Sequence, residues 1–198
     1  LVSSNDIKLP IRNYILSEDE QQMLIVSQRI PIFRRSANSM VHIYNLKTKT
    51  LTPLSDNLVR SASFSPDGKK FIMTGINTDH VYEFVCSVPW DISTSYWTGA
   101  RTYVGLQGTS PRSCAYSSDG TKMYVFSGSG DDVFEYDLTA FDVSTAVLAT
   151  NFSVASEETG GSGIAFSGDG TKMYVVGTTN DAVFEYSLET AFVVSPIS

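Results

Sequence analysis

The sequence predicts an all-β fold of the β-propeller type, about four blades of four-stranded antiparallel meanders, on three observations. The first is repetition. "FSPDGKKFIMTG" from residue 64, "YSSDGTKMYVFSG" from 116 and "FSGDGTKMYVVG" from 166 are copies of one segment, with a degenerate version, "LSEDEQQMLIVS", from residue 16. The second is period: the equivalent acids Asp19, Asp67, Asp119 and Asp169 lie 48, 52 and 50 residues apart, and strand-built units repeating every ~40–50 residues mark stacked propeller blades. The third is pattern, with runs rich in Val, Phe and Tyr punctuated by turn chemistry and no helical periodicity.

The elements of one blade read off the last copy. "GSGIAFS" is a first strand, Asp169-Gly170 a tight turn and "KMYVVG" a second strand; Asp-Gly adopts the positive φ angles of a type I′ hairpin readily. Polar "TTND" then turns into a third strand, "AVFEYSL", which recurs as "VFEYDL" at 133–138, "VYEFVC" at 81–86 and "VHIYNL" at 41–46. Fourth strands follow at "LATNFSVAS" (148–156) and "ARTYVGLQG" (100–108), reached through the linkers "AFDVSTA" and "PWDISTS". Met173, Tyr174, Val175 and Val176 are apolar on both faces of their strand, as expected of a sheet covered by a neighbour on each side.

These boundaries give a single domain over 1–198, with blades at 11–56, 57–108, 109–158 and 159–198. The last stops at "AFVVSPIS" before its fourth strand. The segment 1–10, with "SNDIKLP", is the candidate to complete it and hide the open edge; the alternative is an incomplete arc of a larger propeller.

A chain of 198 residues can bury about 70% of its unfolded surface, and 42% hydrophobic with 18% charged residues is an ordinary globular composition. The net charge of −7 argues against a general nucleic-acid binder, which needs a clustered cationic surface. Charge is unevenly spread: residues 1–76 hold ten Lys and Arg against six acids, residues 77–198 four against fifteen, a break that suggests two sequence origins and hence a fragment or chimera. No apolar run approaches the roughly 18 residues of a membrane span, and neither an initiator Met nor a basic-then-apolar leader opens the chain. Cys86 and Cys114 stand at aliphatic positions of the repeat, so buried thiols are the expectation over a disulfide or metal ligands.

On these residues, "SPDGKKF", "SSDGTKMYV" and "SGDGTKMYV" resemble WD40-like propeller repeats of the TolB and prolyl oligopeptidase type. Residues 77–198, with "VFEY" and "FDVST", resemble the repeats of phage tail and secreted bacterial repeat proteins, which implies an extracytoplasmic setting. Residues 14–71 resemble an early propeller blade of the dipeptidyl peptidase IV family. That resemblance implies that Arg34 matches an arginine contacting a backbone carbonyl of a bound peptide. It also accounts for eight extra residues: Asp19 lies 22 before its third strand, the other three acids 14. The family's glutamate pair has no convincing counterpart, since Glu157-Glu158 sits in a linker of the other repeat type. A peptidase of that family further needs Gly-x-Ser-x-Gly and a His base. The first is absent, and His42 and His80 sit at or beside third-strand starts, so no catalysis is expected.

Asp79, Asp131 and Asp181 recur before the third strands and read as turn residues rather than calcium ligands. Glu83, Glu135 and Glu185 recur within third strands and read as repeat features rather than a glycosidase pair, because copies share one environment. Trp90 matches Phe141 and Phe192 and reads as core. The remaining binding candidates are Arg34 and Arg35 in the inserted loop, and Tyr96 and Trp97 beside the second blade's last linker. The expected function is a non-catalytic binding or structural scaffold engaging a peptide, glycan or protein, with no cofactor and no nucleic acid. The alternative is the substrate-gating propeller of a dipeptidyl peptidase IV-like peptidase without its hydrolase domain.

Overall fold

A computed structural model of the chain describes residues 11–16, 22–33, 36–45, 47–55, 59–75 and 78–194; before residue 61, side chains are described only at Ile25 and 47–50. Its strands form four antiparallel sheets, each in chain order. The first holds β1 (Ile11–Leu16), β2 (Gln22–Phe33), β3 (Ser36–Asn45) and β4 (Thr50–Ser55). The second holds β5 (Val59–Phe64), β6 (Lys70–Gly75), β7 (His80–Cys86) and β8 (Ser95–Tyr103), and the third β9 (Pro111–Tyr116), β10 (Lys122–Ser127), β11 (Asp132–Thr139) and β12 (Asp142–Ser153). The last has three strands, β13 (Gly161–Phe166), β14 (Lys172–Gly177) and β15 (Val183–Ser187). Strands β5, β9 and β13 lie side by side, so the first strands of the second, third and fourth sheets are innermost. This is the meander of a β-propeller blade.

The Ser-x-Asp-Gly turn differs from the type I′ expectation. Gly68 donates its N–H to Ser65 O at 2.9 Å, and only the glycine is left-handed (φ +68, +70 and +71 at Gly68, Gly120 and Gly170). A type I turn followed by a left-handed glycine results. The Asp carboxylate holds it instead of contributing φ: Asp119 Oδ1 accepts from Ser117 Oγ at 2.7 Å and Thr121 N at 3.0 Å. A Cβ on Gly120 would come within 2.4 Å of the Phe141 ring. The same clash recurs between Gly68 and Trp90 and between Gly170 and Phe192. Each aromatic residue donates its N–H to that glycine's carbonyl (2.8–2.9 Å) and is itself left-handed, at φ +63, +55 and +61 for Trp90, Phe141 and Phe192. A left-handed aromatic residue is uncommon, and here the ring lies on the one residue with no side chain to oppose it.

Two further expectations change. The fourth strand of the third blade starts at Asp142, so "AFDVSTA" is mostly strand. In the second blade the corresponding stretch forms a single 3-10 turn, η1 (Ile92–Thr94), capped by Asp91. The inserted segment after Asp19 is a hairpin extension: β2 and β3 stay paired out to Phe33 opposite Ser36. Arg34 and Arg35 fall between those two residues, outside the described ones, as do residues 1–10.

Cores lie between sheets, which explains the strands that are apolar on both faces. On β10, Met123 and Val125 pack toward the second blade with Ile72 and Val81, while Tyr124 and Phe126 pack toward the fourth with Ile164, Met173 and Val175. One buried polar device crosses the interface of the second with the third blade and of the third with the fourth. Glu83 Oε1 accepts from Lys70 Nζ at 2.8 Å, and its Oε2 from Val143 N at 3.1 Å and Tyr116 Oη at 3.2 Å, both in the third blade. Glu135 repeats it, accepting from Lys122 Nζ at 2.5 Å and from Val194 N of the fourth blade at 2.7 Å. Each carboxylate is thus fully partnered, as a buried charge must be. The repeated glutamates are structural.

Candidate functional site

Two regions of the described structure could meet a ligand. The first is on the second blade. Strand β8 slips register against β7, with Tyr82 opposite Arg101 but Phe84 opposite Trp97. The two extra residues on β8 form a bulge around the left-handed Gly99 (φ +96), a device that re-aims side chains. The Trp97 indole spans the kink, donating Nε1–H to Ala100 O at 3.2 Å, and meets the edge of Tyr82 at 6.1 Å. His80 continues the row, 5.8 Å from Tyr82 and 5.1 Å from Tyr103. The ring is oriented by Nδ1–H donating to Thr78 O at 2.5 Å. Trp97 remains 48% exposed and Tyr103 is exposed as well.

Tyr96 is exposed too, but it pairs with Val85 on the next position of the strand. Successive strand residues point to opposite faces, so the structure separates the two adjacent aromatics. Trp97 joins Tyr82, His80 and Tyr103 instead, and Trp90 lies apart, 5.3 Å from Phe64 over Gly68. The alternation was readable in the sequence; the bulge that brings Tyr82 to Trp97 was not.

The second region is a cavity of about 410 Å³ where the three inner strands meet, lined by Ser61, Ser63, Ser113, Ala165 and Phe166 among others. Its small residues let the strands approach, and two of its hydroxyls each accept a main-chain N–H from the next inner strand. Ser61 Oγ accepts from Cys114 N at 3.4 Å and Ser113 Oγ from Ile164 N at 3.2 Å. The ladder ends at Gly163, the equivalent position of the last blade. Ser61 and Ser113 are thus committed to hydrogen bonds between blades.

The other candidates resolve into structure. Asp79, Asp131 and Asp181 are left-handed turn residues (φ +48, +55 and +50). Glu158 is buried and accepts from Gly160 N at 2.7 Å and from Thr179 N and Asn180 N, both at 3.1 Å. Burial pushes its carboxyl up, and the three backbone donors outweigh that and hold it below the ordinary glutamate value. Glu157 beside it is exposed and accepts from Ser156 Oγ, so the two do not converge on a shared ligand amine. Cys86 and Cys114 are buried free thiols, pushed by burial up to about 11 and about 12. They are not nucleophiles at neutral pH.

No protein-family model matches the chain, and no curated protein matches it. Solved structures do. The chain is similar to a functionally unknown protein from Desulfotomaculum acetoxidans (16% identity, TM-score 0.60, 90% of this chain and 52% of that one). It is similar to an auxiliary nutrient binding protein from Bacteroides thetaiotaomicron (12%, 0.61, 91% and 39%). A third is the Cps50 (Swd1) β-propeller domain of Myceliophteria thermophila (9%, 0.61, 91% and 54%). The shared property is the β-propeller fold, and the chain spans about half the length of the first of these structures. No helix among the described residues is long and apolar enough to cross a membrane.

Proposed function

We propose that the chain is a non-catalytic binding scaffold whose second blade stacks ring-bearing ligands, a sugar residue or the proline or aromatic side chain of a peptide. The observation that carries it is the row Trp97–Tyr82–His80–Tyr103, rings held by cross-strand packing and a bulge, with Trp97 and Tyr103 open to solvent at its two ends and Tyr82 and His80 half-buried between them. Rings on paired strands lose little freedom on binding, so the apolar area they bury is gained at low entropic cost. A binding role is also named for one neighbour, the nutrient binding protein. The gating reading depends on Arg34, outside the described residues, and no described geometry favours it.

Glycan and peptide arrays probed with the chain test the proposal. Trp97→Ala weakens capture about tenfold, equivalent to roughly 1.4 kcal/mol. Tyr96→Ala, on the opposite face of the same strand, leaves it unchanged. Binding that survives Trp97→Ala, or binding to neither array, overturns the assignment.

A further inference from the structure

Residues 77–198 hold four Lys and Arg, and three of them are committed to the frame. Arg112 donates Nη1–H to Gly161 O at 2.7 Å, Lys122 pairs with Glu135 and Asp137, and Lys172 pairs with Glu185. The fourth, Arg101, is exposed and makes no hydrogen bond or ion pair with a described residue. It stands on β8 opposite Tyr82, two residues before Tyr103, which is opposite His80. Cross-strand partners and alternate strand residues share a face, so Arg101 belongs to the aromatic row, between the exposed rings of Trp97 and Tyr103. The nearby acids are engaged elsewhere: Asp79 Oδ1 accepts from Ser110 N at 3.0 Å, and Glu83 is buried on the opposite face with Lys70.

The third blade shows what the frame alone requires. By register, Trp97, Arg101, Tyr103, Tyr82 and His80 correspond to Leu148, Asn151, Ser153, Phe134 and Asp132. The ring at Tyr82 survives as Phe134; the other rings and the cation are absent, and an acid stands in place of His80. The bulge is also wider in the second blade, with two extra residues on β8 against one on β12. The rings are set firmly: an added Cβ would come within 3.0 Å of the Tyr82 ring at Gly75 and within 2.5 Å of Tyr103 Oη at Gly105. Changes that the repeated frame does not need thus fall together on one face, and they are to Trp, Tyr and Arg, the residues that dominate binding surfaces.

We propose that this face takes an acidic glycan, a sugar ring stacked on Trp97 or Tyr103 with its ring carboxylate held by Arg101. The inference rests on the ring-stacking reading of the same face and names the class of ligand. A guanidinium presents a planar fork that matches a carboxylate through two parallel hydrogen bonds. In a uronic acid the carboxylate is attached to the ring itself, so one rigid unit offers an apolar face to the platform and a charge to the residue beside it. In an acidic peptide the ring and the carboxylate sit on separate side chains, and ordering both costs more rotamer freedom.

Immobilised uronic-acid oligosaccharides, each beside its methyl ester, decide it, because the ester keeps the ring and removes the charge. The wild-type chain prefers the acid by about fivefold, and the preference disappears in about 1 M sodium chloride, where charges are screened beyond ~3 Å. Arg101→Gln captures acid and ester alike, whereas Trp97→Ala weakens capture of both. Both side chains are exposed, so each variant keeps the wild-type far-ultraviolet circular dichroism. Equal capture of acid and ester by the wild type, or a preference that survives Arg101→Gln, would overturn the carboxylate assignment; ring stacking then stands by itself where Trp97→Ala still weakens capture. Capture of peptides and of no sugar overturns the assignment too, and capture of neither takes the ring-stacking reading with it.

Discussion

The third and fourth blades carry nearly the same sequence, "SSDGTKMYVFSG" and "SGDGTKMYVVG" with "VFEY" after each, yet the same ion pair does different work in the two. Lys122–Glu135 is sealed under the fourth blade and takes the Val194 N–H, while Lys172–Glu185 stands half in solvent. A repeat therefore contains two kinds of interaction. Those made within the blade come out the same wherever the copy stands, and those made between blades take their energy from what covers them.

The largest effect separates the two kinds. Glu135→Ala leaves the buried Val194 N–H without its acceptor and takes from the half-buried Lys122 one of its two carboxylates, Asp137 remaining at 2.8 Å, which costs about 3 kcal/mol. Glu185→Ala removes a half-exposed pair and changes stability by less than about 1 kcal/mol. Equal losses in urea denaturation would break the comparison and mean that the interface around Glu135 is open to water.

The second effect is shared. Gly120 and Gly170 are both left-handed with an aromatic ring in place of a side chain, so Gly120→Ala and Gly170→Ala each cost about 1–3 kcal/mol through strain and displacement of the ring. Gly168→Ala, two residues earlier, meets nothing within 4 Å and changes stability by less than about 0.5 kcal/mol. Matching losses at the two left-handed glycines, set against unequal losses at the two glutamates, would sharpen the division between local and inter-blade terms.

That division also decides what the sequence discloses. The blade count, strand order and turn positions follow from short-range patterning, which repeats, so the Asp-Gly segments and Val-Phe-Tyr runs locate them. The lock was half legible. Glu83, Glu135 and Glu185 recur visibly, and so do Lys70, Lys122 and Lys172, each 13 residues earlier, but a pairing across a hairpin becomes a blade-to-blade lock only once the next blade's N–H is in place. The left-handed Trp90, Phe141 and Phe192 were not legible, because nothing in an aromatic residue advertises positive φ; the signal is its fixed distance from the glycine it covers. At the candidate site the sequence singled out Trp97 and set it beside its neighbour Tyr96. The bulge at Gly99, a register property of two strands, instead joins it to Tyr82.

The smallest effect tests the shared turn by pH. Asp119 and Asp169 make the same hydrogen bonds. Asp169 accepts from Ser167 Oγ at 2.6 Å, Thr171 N at 3.1 Å and Thr171 Oγ1 at 2.9 Å. These donors hold the Asp169 carboxyl at about 2 against an ordinary 3.8, and Asp119 is lowered in the same way. A carboxylate whose folded value is depressed stabilises the fold above its unfolded value, and that contribution is lost as the pH falls. For Asp169 the window is from about 4 down to about 2. Below it, wild type and Asp169→Asn therefore converge in thermal midpoint, and above it the wild type is the more stable. Asp119→Asn in the third blade behaves likewise, since nothing in its turn depends on what covers the sheet. A pH dependence present at Asp119 and missing at Asp169 would place the turn among the interactions that need a neighbouring blade.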